Sequence, residues 1–307
     1  MSPDDVHQAQ VEIDGRRLRL SNLDKVLYPQ AGTTKADIID YYARISAVML
    51  PLLADRPVSR FRWPNGVAAP SFVEKAMPMG SPDWVSRVTL DVPGSTKKRD
   101  LITYPVVDGL PTLVWLANLA ALELHVPQWT VGPRGGRHDP DRLVVDLDPG
   151  APAGLAECAE VALLVRERLA GDGLECVPVT SGSKGLQLYA PLSGEQDADV
   201  VREYARRLAE SLAAEHRSLV VSSMSKALRP RKILLDWSQN HHAKTTICPY
   251  SLRGRDQPNA AAPRTWDEIE DGGSLKQLSY QQVLDRMDDL APVTAALLDP
   301  GPRVPTS

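Results

Sequence analysis

Two aspartates one residue apart, Asp146 and Asp148, end an apolar run that begins at Leu143. The run contains β-branched residues and closes at Pro149, which predicts a buried strand. Side chains at positions i and i+2 of a strand point to the same face, so the two carboxylates would project side by side. Adjacent carboxylates repel each other unless a cation neutralises them. The pair therefore indicates a metal site, although a solvent-facing acidic strand end has the same pattern.

A second apolar strand, Ile233–Leu235, also ends in a carboxylate, Asp236. Two such strands can present three carboxylates to one place. Three carboxylates around two Mg²⁺ or Mn²⁺ ions meet the needs of phosphoryl transfer from a nucleoside triphosphate, because one ion activates the attacking hydroxyl and the other holds the triphosphate.

A short polar turn, residues 180–185, joins two further predicted strands, residues 176–179 and 186–191. Ser181 offers a hydroxyl, Lys184 offers a positive charge for phosphate, and the two glycines are expected to bring the backbone close to a ligand. The turn is not a Walker A loop, because no helix opens there and the spacing is wrong. An ordinary hairpin turn remains the alternative.

Two lysines flank the predicted start of a helix. Thr34 is a good N-cap with Asp37 three residues later, and apolar residues then recur at helical spacing. Lys25 and Lys35 beside the exposed N–H groups of that helix could hold a phosphate, or could be ordinary surface lysines.

The remaining elements are predicted from periodicity and turn residues. Arginines alternate with aromatic residues at 57–63, which suits nucleic-acid contact and an ordinary half-buried strand equally well. Basic residues also cluster at Ser95–Arg99 and at 225–232. The other predicted elements are a hairpin over 11–20, strands over 71–75 and 218–222, and helices over 113–126, 153–170 and 199–214.

Composition is that of an ordinary globular protein. The chain has 307 residues, 43% apolar and 24% charged, and a net charge of −4, which argues against a uniformly basic nucleic-acid-binding surface but permits basic patches. Its three cysteines, Cys158, Cys176 and Cys248, are far apart and indicate neither a disulfide framework nor a zinc site. With no leader and no membrane-spanning run recognised, we expect a soluble, cytoplasmic protein with no membrane partner.

Four stretches, taken in order, resemble the polymerase domain of bacterial ATP-dependent DNA ligase D, in the archaeo-eukaryotic primase superfamily. The likeness runs from about Ser21 to about Asp289, and the joint occurrence of the four stretches is highly specific. They are Leu143–Pro149, Thr180–Gly185, Leu235–Asn240 and Tyr250–Arg255.

The resemblance implies an α/β (α+β) fold with an archaeo-eukaryotic primase-type catalytic core, two mixed sheets flanked by helices. It implies a template-dependent nucleotidyltransferase that extends or fills DNA ends in non-homologous end joining, often with ribonucleotides. Its partners would be DNA with gaps, overhangs or a 5′-phosphate, nucleoside triphosphates, a Ku-type protein and a ligase.

Residue roles follow from the matching motifs. The resemblance implies that Asp146, Asp148 and Asp236 are catalytic ligands of two Mn²⁺ or Mg²⁺ ions. It implies a 5′-phosphate pocket at Lys25 and Lys35, and a template contact at Phe72. The residues implied for the incoming nucleotide are Ser181, Lys184, Gln187, Arg229, Arg253 and His125.

Gln187 departs from the family pattern, which usually has histidine at this position. Histidine can offer positive charge or a proton to a triphosphate, whereas glutamine offers a neutral donor and acceptor. Two alternatives therefore stay open, a non-catalytic module that binds DNA ends and a metal-dependent glycosyltransferase with a strand-end D-x-D. The expected division is an N-terminal lead and hairpin over 1–20, a single polymerase-like domain over 21–291, and a flexible tail over 292–307.

Overall fold

The computed structural model describes residues 8–92 and 100–306, so the predicted basic loop Ser95–Arg99 lies outside the described residues. The strands are β1 (Gln8–Ile13), β2 (Arg16–Ser21), β3 (Val26–Tyr28), β4 (Thr33–Thr34), β5 (Ser59–Arg62), β6 (Phe72–Glu74), β7 (Arg87–Asp91), β8 (Leu101–Pro105), β9 (Ala121–Val126), β10 (Trp129–Val131), β11 (Arg137–Pro140), β12 (Arg142–Pro149), β13 (Val177–Thr180), β14 (Leu186–Pro191), β15 (Val220–Val221), β16 (Ile233–Leu235), β17 (Thr246–Ile247) and β18 (Ala262–Pro263). The helices are α1 (Lys35–Arg44), α2 (Ser46–Leu53), α3 (Leu110–Asn118), α4 (Leu155–Gly171), α5 (Ala198–Glu215), α6 (Trp266–Glu270), α7 (Tyr280–Asp285) and α8 (Met287–Ala295), with 3₁₀ turns at Lys226–Leu228 and Trp237–Asn240.

Two sheets form the centre of the fold. The larger one has the strand order β15-β16-β12-β14-β13-β18 and is mixed, because β15 and β16 are parallel while the other pairs are antiparallel. The smaller one, β17-β9-β5-β6, is antiparallel throughout. The predicted α/β class with two sheets and flanking helices is confirmed, except that only the larger sheet is mixed.

Alternation along β12 assigns its side chains to two different cores. Leu143, Val145 and Leu147 pack in a cluster with residues of α4 and α5. Val144, on the opposite face, belongs to the cluster that includes the smaller sheet and α1 to α3. Alternate residues of a strand share a face, so Asp146 and Asp148 project to the same side, as the sequence predicted. That side is the one that faces the smaller sheet.

The start of α1 is fixed as the sequence predicted. Thr34 accepts from the Asp37 N–H at 3.3 Å, and the Asp37 carboxylate accepts from the Thr34 N–H at 2.7 Å. The buried hydroxyls of Tyr41 and Tyr42 donate to the carbonyls of Tyr250 and Leu122, both at 2.6 Å. These bonds tie the helix to the core that backs the smaller sheet.

The predicted helix over 113–126 is wrong in its second half. Helix α3 ends at Asn118, Ala120 adopts a left-handed conformation with φ 55°, and strand β9 begins at Ala121. The apolar run fits a buried helix and a buried strand equally well, and pairing with β5 and β17 on either side decides for a strand. This places His125 on a central strand.

The tail predicted to be flexible from Pro292 onward lies against the fold instead. Pro292 is inside α8, and Val304 is buried. The Val304 N–H donates to the Gln196 side chain at 2.7 Å, and that side chain donates back to the Val304 carbonyl at 3.0 Å. The small and proline residues suggested fraying, whereas Val304 has a place in the core beside α5.

Within residues 8–92 and 100–306, we find no helix of the length and apolar character needed to cross a bilayer.

Candidate active site

A cavity of about 240 Å³ opens between the two sheets and brings together most of the predicted site. The larger sheet and its turn contribute Asp146, Asp148, Ser181, Lys184 and Gln187, while the smaller sheet and the segment after it contribute His125, Thr246, Ile247 and Arg253. Asp236 and Arg229 do not line this cavity, but their charges affect the pKa of Asp148, which does. Lys25, Lys35 and Phe72 lie outside the cavity.

The two carboxylates of β12 crowd each other at the cavity. Loss of solvation, and next the charge of Asp148, raise the pKa of Asp146 to about 7. Loss of solvation and the charge of Asp236 also raise the pKa of Asp148. Groups that resist ionisation side by side gain most from a bound cation, so this donor set suits a divalent ion.

Asp236 is held beside the pair, but its carboxylate is engaged locally. Its N–H donates to the Asp146 carbonyl at 2.9 Å, which anchors the end of β16 to β12. Its side chain accepts from the Ser238 hydroxyl at 2.5 Å and from the Gln239 amide at 2.8 Å. An ionised carboxylate has about four lone-pair sites, so Asp236 can keep these bonds and still serve as a third ligand.

No cluster of three or more His, Cys, Asp or Glu side chains stands ready to hold a metal ion anywhere in residues 8–92 and 100–306. The residues present fit a divalent ion in part. Asp146 and Asp148 supply two oxygen ligands, of the kind that Mg²⁺ and Mn²⁺ prefer.

Gln187 lies directly opposite Asp146 in the pairing of β12 with β14. Its amide nitrogen donates to Asp146 Oδ1 at 3.0 Å, and its amide oxygen accepts from the Tyr189 hydroxyl at 2.8 Å. The glutamine is therefore a fixed neutral donor to the first carboxylate.

The turn between β13 and β14 presents Ser181 as a hydroxyl donor. Ser181 Oγ accepts from the N–H groups of Ser183 at 3.3 Å and Gly185 at 3.1 Å. Within residues 8–92 and 100–306 no acceptor takes its own proton, which a phosphate oxygen could accept. The exposed Lys184 lines the same cavity. The Gln277 side chain clamps the turn, accepting from Gly182 N–H at 2.6 Å and donating to the Gly185 carbonyl at 3.1 Å.

The glycines of this turn serve contacts within the protein, and Gly185 also lines the cavity. A Cβ on Gly185 would overlap the Leu147 carbonyl oxygen, so glycine lets the turn lie against β12. Gly182 has φ +71°, and a Cβ there would lie 2.8 Å from the Ala260 carbonyl.

Two arginines carry donors that other residues leave unused. Among the described residues, the buried Nε atoms of Arg229 and Arg253 have no hydrogen-bond partner. A buried unpaired donor is costly. A phosphate in the cavity would bind the charge and the other N–H groups of each guanidinium, since these Nε atoms are buried. The charges of both arginines also lower the pKa of Asp148 against the larger effect of lost solvation.

His125 is held by a carboxylate that the sequence did not single out. Its Nε2 lies 2.8 Å from Glu123 Oε2, and Arg253 Nη1 lies 3.2 Å from the same oxygen. Glu123 precedes His125 by two residues on β9, so both share one face. That spacing would have been a usable signal had this stretch been predicted as a strand.

Lys25 and Lys35 come together at the start of α1. The backbone N–H of Lys35 donates to the Lys25 carbonyl at 2.8 Å. The buried Lys35 ammonium donates to the Ser21 carbonyl at 2.6 Å, and the Lys25 ammonium to Asn65 at 3.0 Å. Burial, and next the charges of Lys25 and Arg62, lower the pKa of Lys35 to about 8. Because the charges of Lys25 and Arg62 act on Lys35, these residues together would favour binding of an anion.

Phe72 lies on β6, the edge strand of the smaller sheet, and is 44% exposed. The guanidinium of Arg62 lies 5.1 Å from the centre of its ring. An exposed ring beside a cation offers a stacking surface outside the cavity.

Known proteins that are similar to this chain point to one family. The family "LigD, primase-polymerase domain" matches residues 34–293. The multifunctional non-homologous end joining DNA repair protein LigD of Mycobacterium tuberculosis is 50% identical over 277 residues, covering 89% of this chain and 36% of that protein. The bifunctional non-homologous end joining protein LigD of Bacillus subtilis is 32% identical over 272 residues, covering 88% of this chain and 42% of that protein. This chain thus spans 36% to 42% of the length of these two relatives.

A solved structure is also similar over nearly the whole fold. The polymerase domain from Mycobacterium tuberculosis ligase D in complex with DNA superposes with a TM-score of 0.87 at 47% identity, covering 93% of this chain and 99% of that one. The family match extends from the capped start of α1, through the carboxylates of β12 and the turn with Lys184, into α8. On this match and these likenesses, the chain belongs to the LigD primase-polymerase domain family.

Proposed function

We propose that this chain is a template-dependent nucleotidyltransferase that adds nucleotides, including ribonucleotides, to DNA ends and gaps in non-homologous end joining. The observation that carries the proposal is the single cavity in which Asp146 and Asp148 face Lys184 and Arg253. Acidic residues that bind cations and basic residues that bind phosphates are the two halves of a phosphoryl-transfer site.

In this proposal, Asp146, Asp148 and Asp236 hold two Mg²⁺ or Mn²⁺ ions, and Ser238 and Gln239 orient the carboxylate of Asp236. Bound ions would lower the pKa of the attacking hydroxyl and neutralise charge on the triphosphate. The side chains around them orient the nucleotide. Ser181 donates a hydrogen bond, and Lys184 provides a point charge.

The charged guanidinium groups of Arg229 and Arg253 complete the phosphate contacts. Arg253 enters the cavity from the segment after β17, and the charge of Arg229 acts on Asp148, which lines the cavity. Gln187 contributes by holding Asp146. His125 would contact the nucleotide from the smaller sheet.

DNA would contact both the cavity and residues outside it. A relative solved with DNA supports DNA as the substrate, and the paired cations at Lys25 and Lys35 suit a downstream 5′-phosphate. Phe72 suits a templating base, because an exposed ring is a stacking platform. A Ku-type end-binding protein and a separate or linked ligase are the partners that this role requires.

The two alternatives have uneven support. A glycosyltransferase would use Asp146 and Asp148, but it gives no role to the Lys25 and Lys35 pair. A non-catalytic end-binding module is favoured by one specific observation, the neutral Gln187 in place of the usual histidine.

The experiment is single-nucleotide addition to a one-nucleotide DNA gap, with each of the four templating bases in turn. The proposal expects the added base to follow the template in all four cases. An end-binding module would bind these duplexes without extending them, and a glycosyltransferase would neither extend nor bind them. Addition that ignores the template would contradict template direction while leaving transfer intact.

A further inference from the structure

Glu123 lies in the middle of β9, and its side chain is 9% exposed. A buried carboxylate is costly unless several donors satisfy it. Here Oε2 accepts from His125 Nε2 at 2.8 Å and from Arg253 Nη1 at 3.2 Å, while Oε1 accepts from the Gly254 N–H at 3.0 Å. One carboxylate thus fixes groups from two distant segments of the chain.

Both side chains bound by Glu123 line the cavity with the two catalytic carboxylates. Burial alone would raise the pKa of Glu123, but the hydrogen bond from His125 and the charge of Arg253 outweigh burial and lower it. An ionised carboxylate can only accept hydrogen bonds. Nε2 of His125 must therefore carry a proton, and Nδ1 is the ring nitrogen left for a ligand.

The surroundings hold these groups in place. The ring of Phe61 lies 4.6 Å from the ring of His125, and the Tyr28 hydroxyl donates to the Arg253 carbonyl at 2.8 Å. Gly254 lies so close to the indole of Trp63 that a Cβ would overlap it. These contacts fix the backbone at Arg253 and Gly254 and one side of the His125 ring, whereas the Arg253 guanidinium is bonded to Glu123.

We propose that Glu123 is a positioning residue for the incoming nucleotide. It holds His125 with the proton on Nε2 and directs the guanidinium of Arg253 into the cavity. The proposal rests on the proposed function for the identity of the ligand, a nucleoside triphosphate. Glu123 itself does not line the cavity, so it acts through the other two residues.

The test is Glu123→Gln, which keeps the shape but replaces one acceptor oxygen with an NH₂ donor. We expect the KM for the nucleotide to rise about tenfold or more, the size expected from losing a charge-assisted hydrogen bond, with a smaller change in kcat. DNA affinity should stay unchanged. In the Arg253→Ala background the same substitution should have less effect, because Glu123 can then act on the nucleotide only through His125.

A second measurement reports the tautomer directly. The ¹⁵N shifts of the His125 ring are assigned by comparison with His125→Ala, since the chain has six histidines. The wild type should show the proton on Nε2, and Glu123→Gln should weaken that preference, because a neutral amide oxygen is a weaker acceptor than a carboxylate oxygen. Glu123→Asp keeps the charge and should restore part of the nucleotide affinity.

Equilibrium binding of a non-hydrolysable triphosphate separates this proposal from the proposed function. If the wild type binds triphosphate without adding nucleotides, and Glu123→Gln weakens that binding, the function fails and the role of Glu123 stands. If the wild type adds nucleotides while the variant keeps its KM and its tautomer, the role of Glu123 is overturned. It is equally overturned if nucleotide binding, DNA binding and melting temperature all fall together in Glu123→Gln and Glu123→Asp.

Discussion

At the residue scale, the site depends on how a few polar side chains are shared between partners. Asp146 and Asp148 were predictable because their spacing on a strand fixes a common face. The bonds of Asp236 to Ser238 and Gln239 were not, since they depend on side-chain rotamers that spacing does not encode. Glu123 was missed because its strand was predicted as a helix.

Gln187 gives the first prediction at this scale. Its neutral amide holds Asp146 but offers no charge to a triphosphate. Gln187→His should raise the efficiency of nucleotide addition about five- to thirty-fold, the equivalent of about 1 to 2 kcal/mol for a charge-assisted contact. The measurement is single-nucleotide addition at varied triphosphate concentration. Equal or lower efficiency in the variant would show that glutamine is no handicap here.

A second prediction concerns the repulsion between the carboxylates. Asp146→Asn removes one charge from the crowded pair and keeps a side chain that can bond to Gln187. Because the pKa of Asp146 is raised to about 7, the variant should be more stable than the wild type above about pH 7 and without added metal, by about 1 kcal/mol after allowing for solvent screening. Urea unfolding in the presence of a chelator measures this. An unchanged or lower unfolding free energy would mean that the pair costs nothing in the free protein.

At the element scale, helices with clear caps and strands with clear ends were predicted well. The start of α1 has a complete capping box, and β12 ends at Pro149. The run that contains β9 was predicted incorrectly. Its apolar residues fit either a helix or a strand, and pairing with the distant strand β5 determines that it is a strand. Chemistry on a strand is therefore readable from sequence where the strand itself is recognised, as in β12, and is missed where the strand is predicted as a helix, as in β9.

The start of α1 gives a prediction about DNA ends. Two ammonium groups beside a helix N-terminus should favour a 5′-phosphate over a 5′-hydroxyl at the downstream side of a gap. Removing the phosphate should weaken binding of gapped DNA to the wild type. In the Lys25→Ala/Lys35→Ala variant that difference should vanish, as followed by gel shift. A variant that still prefers the phosphate would place the pocket elsewhere.

The same pocket should respond to pH. The pKa of Lys35 is lowered to about 8, so its charge is complete well below that pH and is lost above it. Phosphate stays doubly charged above about pH 7, so the preference for a 5′-phosphate should decline as pH rises from about 8 toward about 10. Lys35→Arg keeps its charge across this range and is the matched control. A preference that stays constant in the wild type would contradict the charge of Lys35 as its cause.

At the scale of the whole molecule, the active site is a product of two sheets meeting. The larger sheet supplies the carboxylates and the turn with Lys184, and the smaller sheet supplies His125 from β9. The resemblance implied the two-sheet class. The packing of the tail against the fold was not predicted, because small and proline residues indicate a flexible segment even where one of them is buried. The burial of Val304 depends on the position of α5 in three dimensions.

The tail gives a prediction at this scale. Removing residues 299–307 would expose the site that Val304 fills and leave Gln196 without its two backbone bonds. The loss should lower the unfolding free energy by about 2 to 3 kcal/mol while leaving nucleotide addition unaffected at moderate temperature. Thermal unfolding and an activity assay on the same sample test both parts. An unchanged melting temperature would show that the tail does not stabilise the fold, as expected for the flexible tail that the sequence predicted.

The most direct test of the central claim is addition of one nucleotide to gapped DNA with Mn²⁺, for the wild type and Asp148→Ala, with a gel-shift titration of both. Because the carboxylate would hold metal while lysines and arginines hold DNA, the variant should lose addition and keep DNA affinity within about two-fold. Addition by Asp148→Ala within a few-fold of the wild type would contradict the assignment of this cavity as a metal-dependent transfer site.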